Sequence, residues 1–138
     1  MTAIQDLRLG QSAYLERFIT EQDVTAFASL TIDTNPVHID EAYAAKSFFG
    51  RRIAHGYLVG SLISAVLGTK LPGPGSIYLE QTMRFLKPVY LGDTVRATVT
   101  VNEIMESKGL VKLSTVCTKV NGTEQTPVIV GEATIKLL

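Results

Sequence analysis

The stretch GYLVGSLISAVLG, residues 56–68, decides how this chain folds. It is apolar on nearly every side, carries Ser61, Ser64 and internal glycines, and falls well short of the roughly 20 residues that cross a bilayer. A helix of this kind in a soluble protein is expected to be covered all round rather than to rest on one surface. The second half of the chain supplies the cover. SIYLEQTMRFLKPV (76–89), DTVRATVTVNEI (93–104), GLVKLSTVCTKV (109–120) and PVIVGEATIKLL (127–138) are rich in Val, Thr, Ile and Leu and are separated by turn residues. Val95, Ala97, Val99 and Val101 alternate with Arg96, Thr98, Thr100 and Asn102, the period of a strand with one buried face. With SAYLERFI (12–19) as an earlier edge strand, the pattern predicts an antiparallel sheet of five or more strands curled around one long helix, an α+β architecture.

Upstream of that helix the pattern predicts two more. ITEQDVTAFASL (19–30) opens with Thr20 and has Asp23 three residues later, the spacing of a capping box. This helix must stop before Pro36, whose ring disfavours the α conformation at Asn35. A second helix is expected to start at Asp40 and run through EAYAAKSFF to Gly50. The central helix itself is expected from about His55 to Thr69, where KLPGPG ends it.

With 138 residues and 46% apolar content, the chain suits a single domain spanning 1–138. The 13 basic and 13 acidic residues cancel, and no run of like charge marks a nucleic-acid groove or a polybasic membrane anchor. The opening MTAIQDLRLG lacks a secretory pattern and Cys117 has no second cysteine to pair with, so a reducing cytoplasm is the expectation.

Chemistry concentrates in TIDTNPVHID, residues 31–40, which packs Asp33, Asn35, Pro36 and His38 into one connector. Each has a plain structural reading: Asp33 in an Asx turn, Asn35 before Pro36 as turn chemistry, His38 as a satisfied histidine. Asp and His are also metal ligands, but a structural zinc site takes about four ligands, and this chain offers only Cys117 and two histidines. Cys117 lies inside a strand pattern and reads as packing rather than as a nucleophile. The other histidine, His55, opens the apolar helix, where capping or packing is the ordinary role. A helix start leaves N–H groups unpaired with a partial positive charge, and Gly56 has no side chain to block approach to its own. Ser64, two turns on, is a polar interruption whose plain reading is a hydroxyl bonded to a preceding carbonyl.

Taken in order, FASLTIDTNPVHIDEAYA (27–44), AHGYLVGSLIS (54–64) and RFLKPVYLGDTV (84–95) resemble the MaoC-like (R)-specific enoyl-CoA hydratase family. The resemblance covers most of the chain, and D-x-N-P-x-H followed by H-G at this interval is specific. It implies the hot-dog fold, in which a curved antiparallel sheet surrounds a central helix. It further implies reversible hydration of a trans-2-enoyl thioester to an (R)-3-hydroxyacyl thioester, with no metal or redox cofactor and the CoA thioester as substrate. By position, Asp33 and His38 would be the catalytic pair, Gly56 the oxyanion donor and Ser64 an active-site serine. Asn35 and Pro36 would hold the loop, Leu67 and Ile135 would wall the acyl pocket, and two subunits would pair as a homodimer. The family often has glycine before the aspartate; here Ile32 stands there, and because a β-branched residue suits positive φ poorly, ordinary backbone angles are expected. Folds of this kind also host thioesterases, 3-hydroxyacyl-carrier-protein dehydratases and non-catalytic acyl-thioester binders, so function must rest on the site.

Overall fold

The computed structural model describes residues 2–138. Its frame is one five-stranded antiparallel sheet: β1 (Ser12–Phe18), β2 (Ser76–Phe85), β3 (Thr94–Met105), β4 (Leu110–Lys119) and β5 (Thr126–Leu137), in the order β1-β3-β4-β5-β2. β1 is thus an edge strand, as its position in the sequence suggests, and β2 is the other edge. Register shifts interrupt β2 at Tyr78/Glu80, β3 at Val101/Glu103 and β4 at Cys117/Thr118, and such bulges sharpen the curl of a sheet. β5 contributes Gly131, opposite Met83, where a Cβ would lie 1.8 Å from the Thr82 carbonyl oxygen. Only glycine lets the two backbones approach so closely at that point.

The concave face holds α4 (Gly56–Thr69), the long helix expected from the apolar stretch. Val59, Ile63, Val66 and Leu67 of α4 join Val95, Ala97, Val99 and Val101 of β3, Val111, Leu113 and Cys117 of β4, and Ile129, Ala133 and Ile135 of β5 in one core cluster. Each fully buried Val, Leu or Ile side chain stabilises the fold by about 1.5–3 kcal/mol, so this cluster dominates the folding energy. One expectation fails here. α4 is not covered all round, because Tyr57, Ser61, Ser64 and Gly68 form an exposed stripe along it. A five-stranded sheet curls over only part of the helix, and these residues, mostly small or polar, fall on the uncovered side.

The remaining helices form a flap over the N-terminal end of α4. α1 (Glu21–Thr31) begins with the expected capping box: Thr20 Oγ1 accepts from Asp23 N–H, and the Asp23 carboxylate accepts from Thr20 N–H. A one-turn helix, α2 (Pro36–Ile39), stands where only a connector was expected, with Asn35 as its cap and Pro36 in its first turn. Asn-Pro is itself a cap followed by a residue preset for helix, so the signal was present. α3 (Glu41–Ala45) starts at Asp40 as expected but ends short of Gly50. Ser47 explains the difference: its hydroxyl donates to the Ala44 carbonyl and accepts from Phe49 N–H, diverting the backbone into a turn.

Candidate active site

Asp33 follows α1 through a single left-handed residue, Ile32, at φ 66° and ψ 13°. The expectation of ordinary angles at this position is therefore wrong. The chain has to reverse at the end of α1, and a left-handed residue does this, glycine being the usual choice. Ile32 tolerates the conformation because its side chain is 83% exposed, at a cost of about 1–2 kcal/mol. Local bonds hold the turn. Thr31 Oγ1 donates to the Phe27 carbonyl (2.7 Å) and accepts from Asp33 N–H (3.3 Å), and Thr34 N–H donates to the Ile32 carbonyl (3.0 Å).

The plain readings of the loop residues are realised alongside. One Asp33 carboxylate oxygen accepts from Asn35 N–H (3.3 Å), and Asn35 Oδ1 accepts from Val37 N–H (3.2 Å), capping α2. α2 then carries His38 inward, where it is buried. His38 Nδ1 lies 2.8 Å from the Ile53 carbonyl oxygen, so Nδ1 carries the proton and Nε2 keeps its lone pair. Burial holds the His38 imidazole below the ordinary histidine value of 6.5. His55 beside it acts in the same direction, against the Ile53 carbonyl and Asp33. At neutral pH His38 is a neutral imidazole able to accept or relay a proton.

Two residues of the segment leading into α4 complete the arrangement. Arg52 is buried; its Nε donates to the His38 main-chain carbonyl (2.7 Å) and its Nη1 to Glu21 (2.8 Å). His55 lies between Phe27 and His38, its ring stacked on that of His38 with centroids 3.8 Å apart, and its Nε2 is 2.9 Å from the Asp33 main-chain oxygen. His55 precedes α4 but does not cap it with its side chain, so the first N–H groups of α4 are left uncapped by it. Gly56 is the first helical residue, and a Cβ there would meet the Phe85 ring at 2.7 Å. Its lack of a side chain makes room for Phe85 as well as for any ligand at the helix end.

Two grooves flank the first turn of α4. The first, of about 430 Å³, is apolar and is lined by Gly56, Val59, Phe48, Phe85, Leu86 and Ile129 among others. The second, on the far side of the stacked Tyr57 and Phe85 rings, is lined by Phe27, Tyr57, Gly60, Ser64, Gln81 and Met83. Ser64 thus faces this groove on the exposed stripe of α4, two turns from the histidines. Leu67 and Ile135, each 1% exposed, lie in the core and line neither groove. Asp33, His38 and His55 each present one ligating atom, all within 4.8 Å of one another, a grouping that brings together the only two histidines of the chain. For a metal to use all three, His55 would have to release Asp33 or turn its enclosed Nδ1 outward. Arg52 and the Ile53 carbonyl went unnoticed in the sequence, since nothing local marks a residue 14 positions from the histidine it holds.

The curled sheet around one central helix is the hot-dog class of fold, here with Asp33 and His38 as an acid–base group at the open end of that helix. Residues 8–125 match the MaoC like domain, and the chain belongs to that family. It is 50% identical over 131 residues to an (R)-specific enoyl-CoA hydratase of Rhodospirillum rubrum, covering 95% of this chain and 88% of that one. It is 44% identical over 133 residues to a 3-hydroxybutyryl-CoA dehydratase of Methylorubrum extorquens, covering 96% and 82%. Among solved structures, the (R)-hydratase from A. caviae involved in PHA biosynthesis superposes with a TM-score of 0.91 at 43% identity, over 97% of this chain and 99% of that one.

Proposed function

We propose that the protein is a lyase that hydrates trans-2-enoyl-CoA to (R)-3-hydroxyacyl-CoA, and dehydrates the product in reverse. The observation that carries this reading is the convergence of the Asp33 carboxylate and the buried His38, held neutral with Nε2 free, beside the uncapped start of an apolar helix. Relatives named for this activity, at 50% and 44% identity, support it. Water adds across the double bond: its oxygen bonds to Cβ, one proton goes to Cα, and the thioester oxygen carries enolate charge between. A water held by Asp33 and His38 lets the pair share both proton transfers, help that is worth about 10² to 10⁴ in rate. The Gly56 N–H takes the oxygen charge, where losing one such donor costs about 10² or more. Asn35 and Pro36 aim the pair through the cap of α2.

The grooves on either side of the first turn of α4 give room for the acyl and pantetheine arms. Ser64 borders the acyl side, and Leu67 and Ile135, which line neither groove, would meet the acyl chain only where it runs past the groove into the core. The chemistry is complete with side chains, one main-chain N–H and water, and calls for no cofactor. The assembly is a homodimer. Edge strand β2 leaves main-chain groups unpaired and exposes Ile77, Tyr78, Leu79 and Phe85, next to the uncovered stripe of α4. Among the described residues no helix is long and apolar enough to cross a membrane, and the buried free Cys117 suits the cytoplasm.

Incubation with crotonyl-CoA tests the activity. Loss of the enoyl absorbance without release of free thiol is expected, with the R configuration at C3 of the product. Thiol release in its place would identify a thioesterase. Asp33→Asn and His38→Gln are each expected to lower turnover at least 10²-fold with the fold intact; unchanged turnover in both would overturn the assignment of the pair, and no turnover in the unaltered protein would leave only a binding role.

A further inference from the structure

The mechanism above assigns no task to His55, the most enclosed of the polar groups in the cluster. It is 2% exposed, and among the described residues its side chain makes one hydrogen bond, from Nε2 to the main-chain oxygen of Asp33 at 2.9 Å. Its Nδ1 is buried and has no partner among the described residues. The first fact fixes the donor. A nitrogen facing a carbonyl oxygen at that distance must carry a proton. His55 therefore donates from Nε2, the opposite nitrogen to that of His38, which donates from Nδ1 to Ile53. The rings stack at 3.8 Å with 27° between planes, and Phe27 closes the other face of His55 at 4.9 Å.

We propose that His55 is a positioning residue, which holds Asp33 in register by donating to its main-chain carbonyl while its ring is the platform that orients the His38 imidazole. Asp33 needs such a hold, because it follows the strained Ile32; among the described residues its backbone is otherwise tied to Thr31 alone, and its carboxylate to Asn35 N–H. From Arg52 to His55 the chain acts as one template. The Arg52 side chain donates to the His38 carbonyl, Ile53 N–H donates to the Val37 carbonyl, the Ile53 carbonyl accepts from His38 Nδ1–H, and His55 donates to the Asp33 carbonyl. Both members of the pair are aligned by this short segment, which continues directly into Gly56.

This inference rests on the reading of Asp33 and His38 as the catalytic pair, and the test separates the two. In His55→Phe the ring platform survives but the donor is lost. In His55→Gln the ring is lost, but the side-chain amide nitrogen has the reach of Nε2 and can still donate. Asn is too short to reach Asp33. With crotonyl-CoA as substrate, H55F is expected to lower kcat about 10²-fold, the scale of loss from a small misplacement of reacting groups, with KM little changed. H55Q should recover much of that loss, while H55N should not. Thermal unfolding by circular dichroism is measured beside each, since a merely structural histidine would shift melting temperature in all three without this order in kcat. If H55F does not fold, the contrast between H55Q and H55N decides. Wild-type kcat in H55F, or H55Q no more active than H55N, overturns the proposal. D33N and H38Q are run in parallel. If they keep full turnover, the reading of the pair has failed; if they lose it while H55F does not, only the role of His55 has failed.

Discussion

At Ile32 the chain holds a β-branched residue at φ 66°, a conformation that glycine adopts without penalty. Because the side chain is exposed and packs little, Ile32→Gly removes strain without opening a cavity. A gain of about 1 kcal/mol is expected in urea or thermal unfolding, set by the cost of left-handed backbone. Loss of stability would mean that the exposed isoleucine makes a contact in the assembled protein worth more than the strain. His38 gives a second prediction at this scale. Its depressed pKa means that the folded site keeps the imidazole neutral to lower pH than the unfolded chain does. kcat/KM should therefore fall on the acid side with a midpoint below 6.5, and a midpoint above that value in the pH profile would contradict the burial argument. The stability term has the same sign. It is present in full above the unfolded value of 6.5, and is lost as pH drops through 6.5 toward the folded value, because the unfolded chain then binds the extra proton.

The elements divide the work between rigidity and aim. α4 is anchored by its buried face, so its N-terminus offers a fixed point of partial positive charge, and the flap of α1 and α2 brings the carboxylate and imidazole to it. Gly56 and Gly60 show how close the fit is, since a Cβ at either would meet Phe85 or Met83 of β2 at 2.7 Å. Leu67 lies on the buried face of the same helix, one turn past Ser64. Leu67→Ala should cost about 2–5 kcal/mol as a core truncation. It should also shift the preferred substrate toward longer enoyl-CoAs if Leu67 is the acyl floor. Initial rates over a chain-length series, measured beside a melting curve, check both, and an unchanged length preference would put the acyl chain elsewhere.

For the whole molecule the decisive feature is what one chain leaves open. The edge of β2 and the stripe of Tyr57, Ser61, Ser64 and Gly68 on α4 are neighbouring exposed ground around one groove. A charge placed there should prevent pairing: Leu79→Glu, at a site 53% exposed, is expected to give a folded monomer by light scattering and circular dichroism. A dimer that persists in that variant would place the interface on another face. Much of this was legible from residues alone. Alternating Val95 to Val101, the capping box at Thr20 and the apolar run at 56–68 specify strands, a helix start and a core helix, because each depends on neighbours within a few residues. Asp33, His38 and Gly56 could be picked out by spacing and by resemblance. The short helix at Pro36 was signalled and overlooked, whereas the left-handed Ile32 ran against local preference. That angle is imposed by the need to turn the chain at the end of α1. Arg52, the Ile53 carbonyl and the role of His55 had no local sign at all. The sequence by itself determined the elements, the family and the residues with reactive chemistry, since these rest on periodicity, propensity and side-chain type. Only the tertiary structure decided which nitrogen of each histidine carries the proton, what holds Asp33, and which side of α4 stays open, since those depend on contacts between segments that meet only when the sheet has curled.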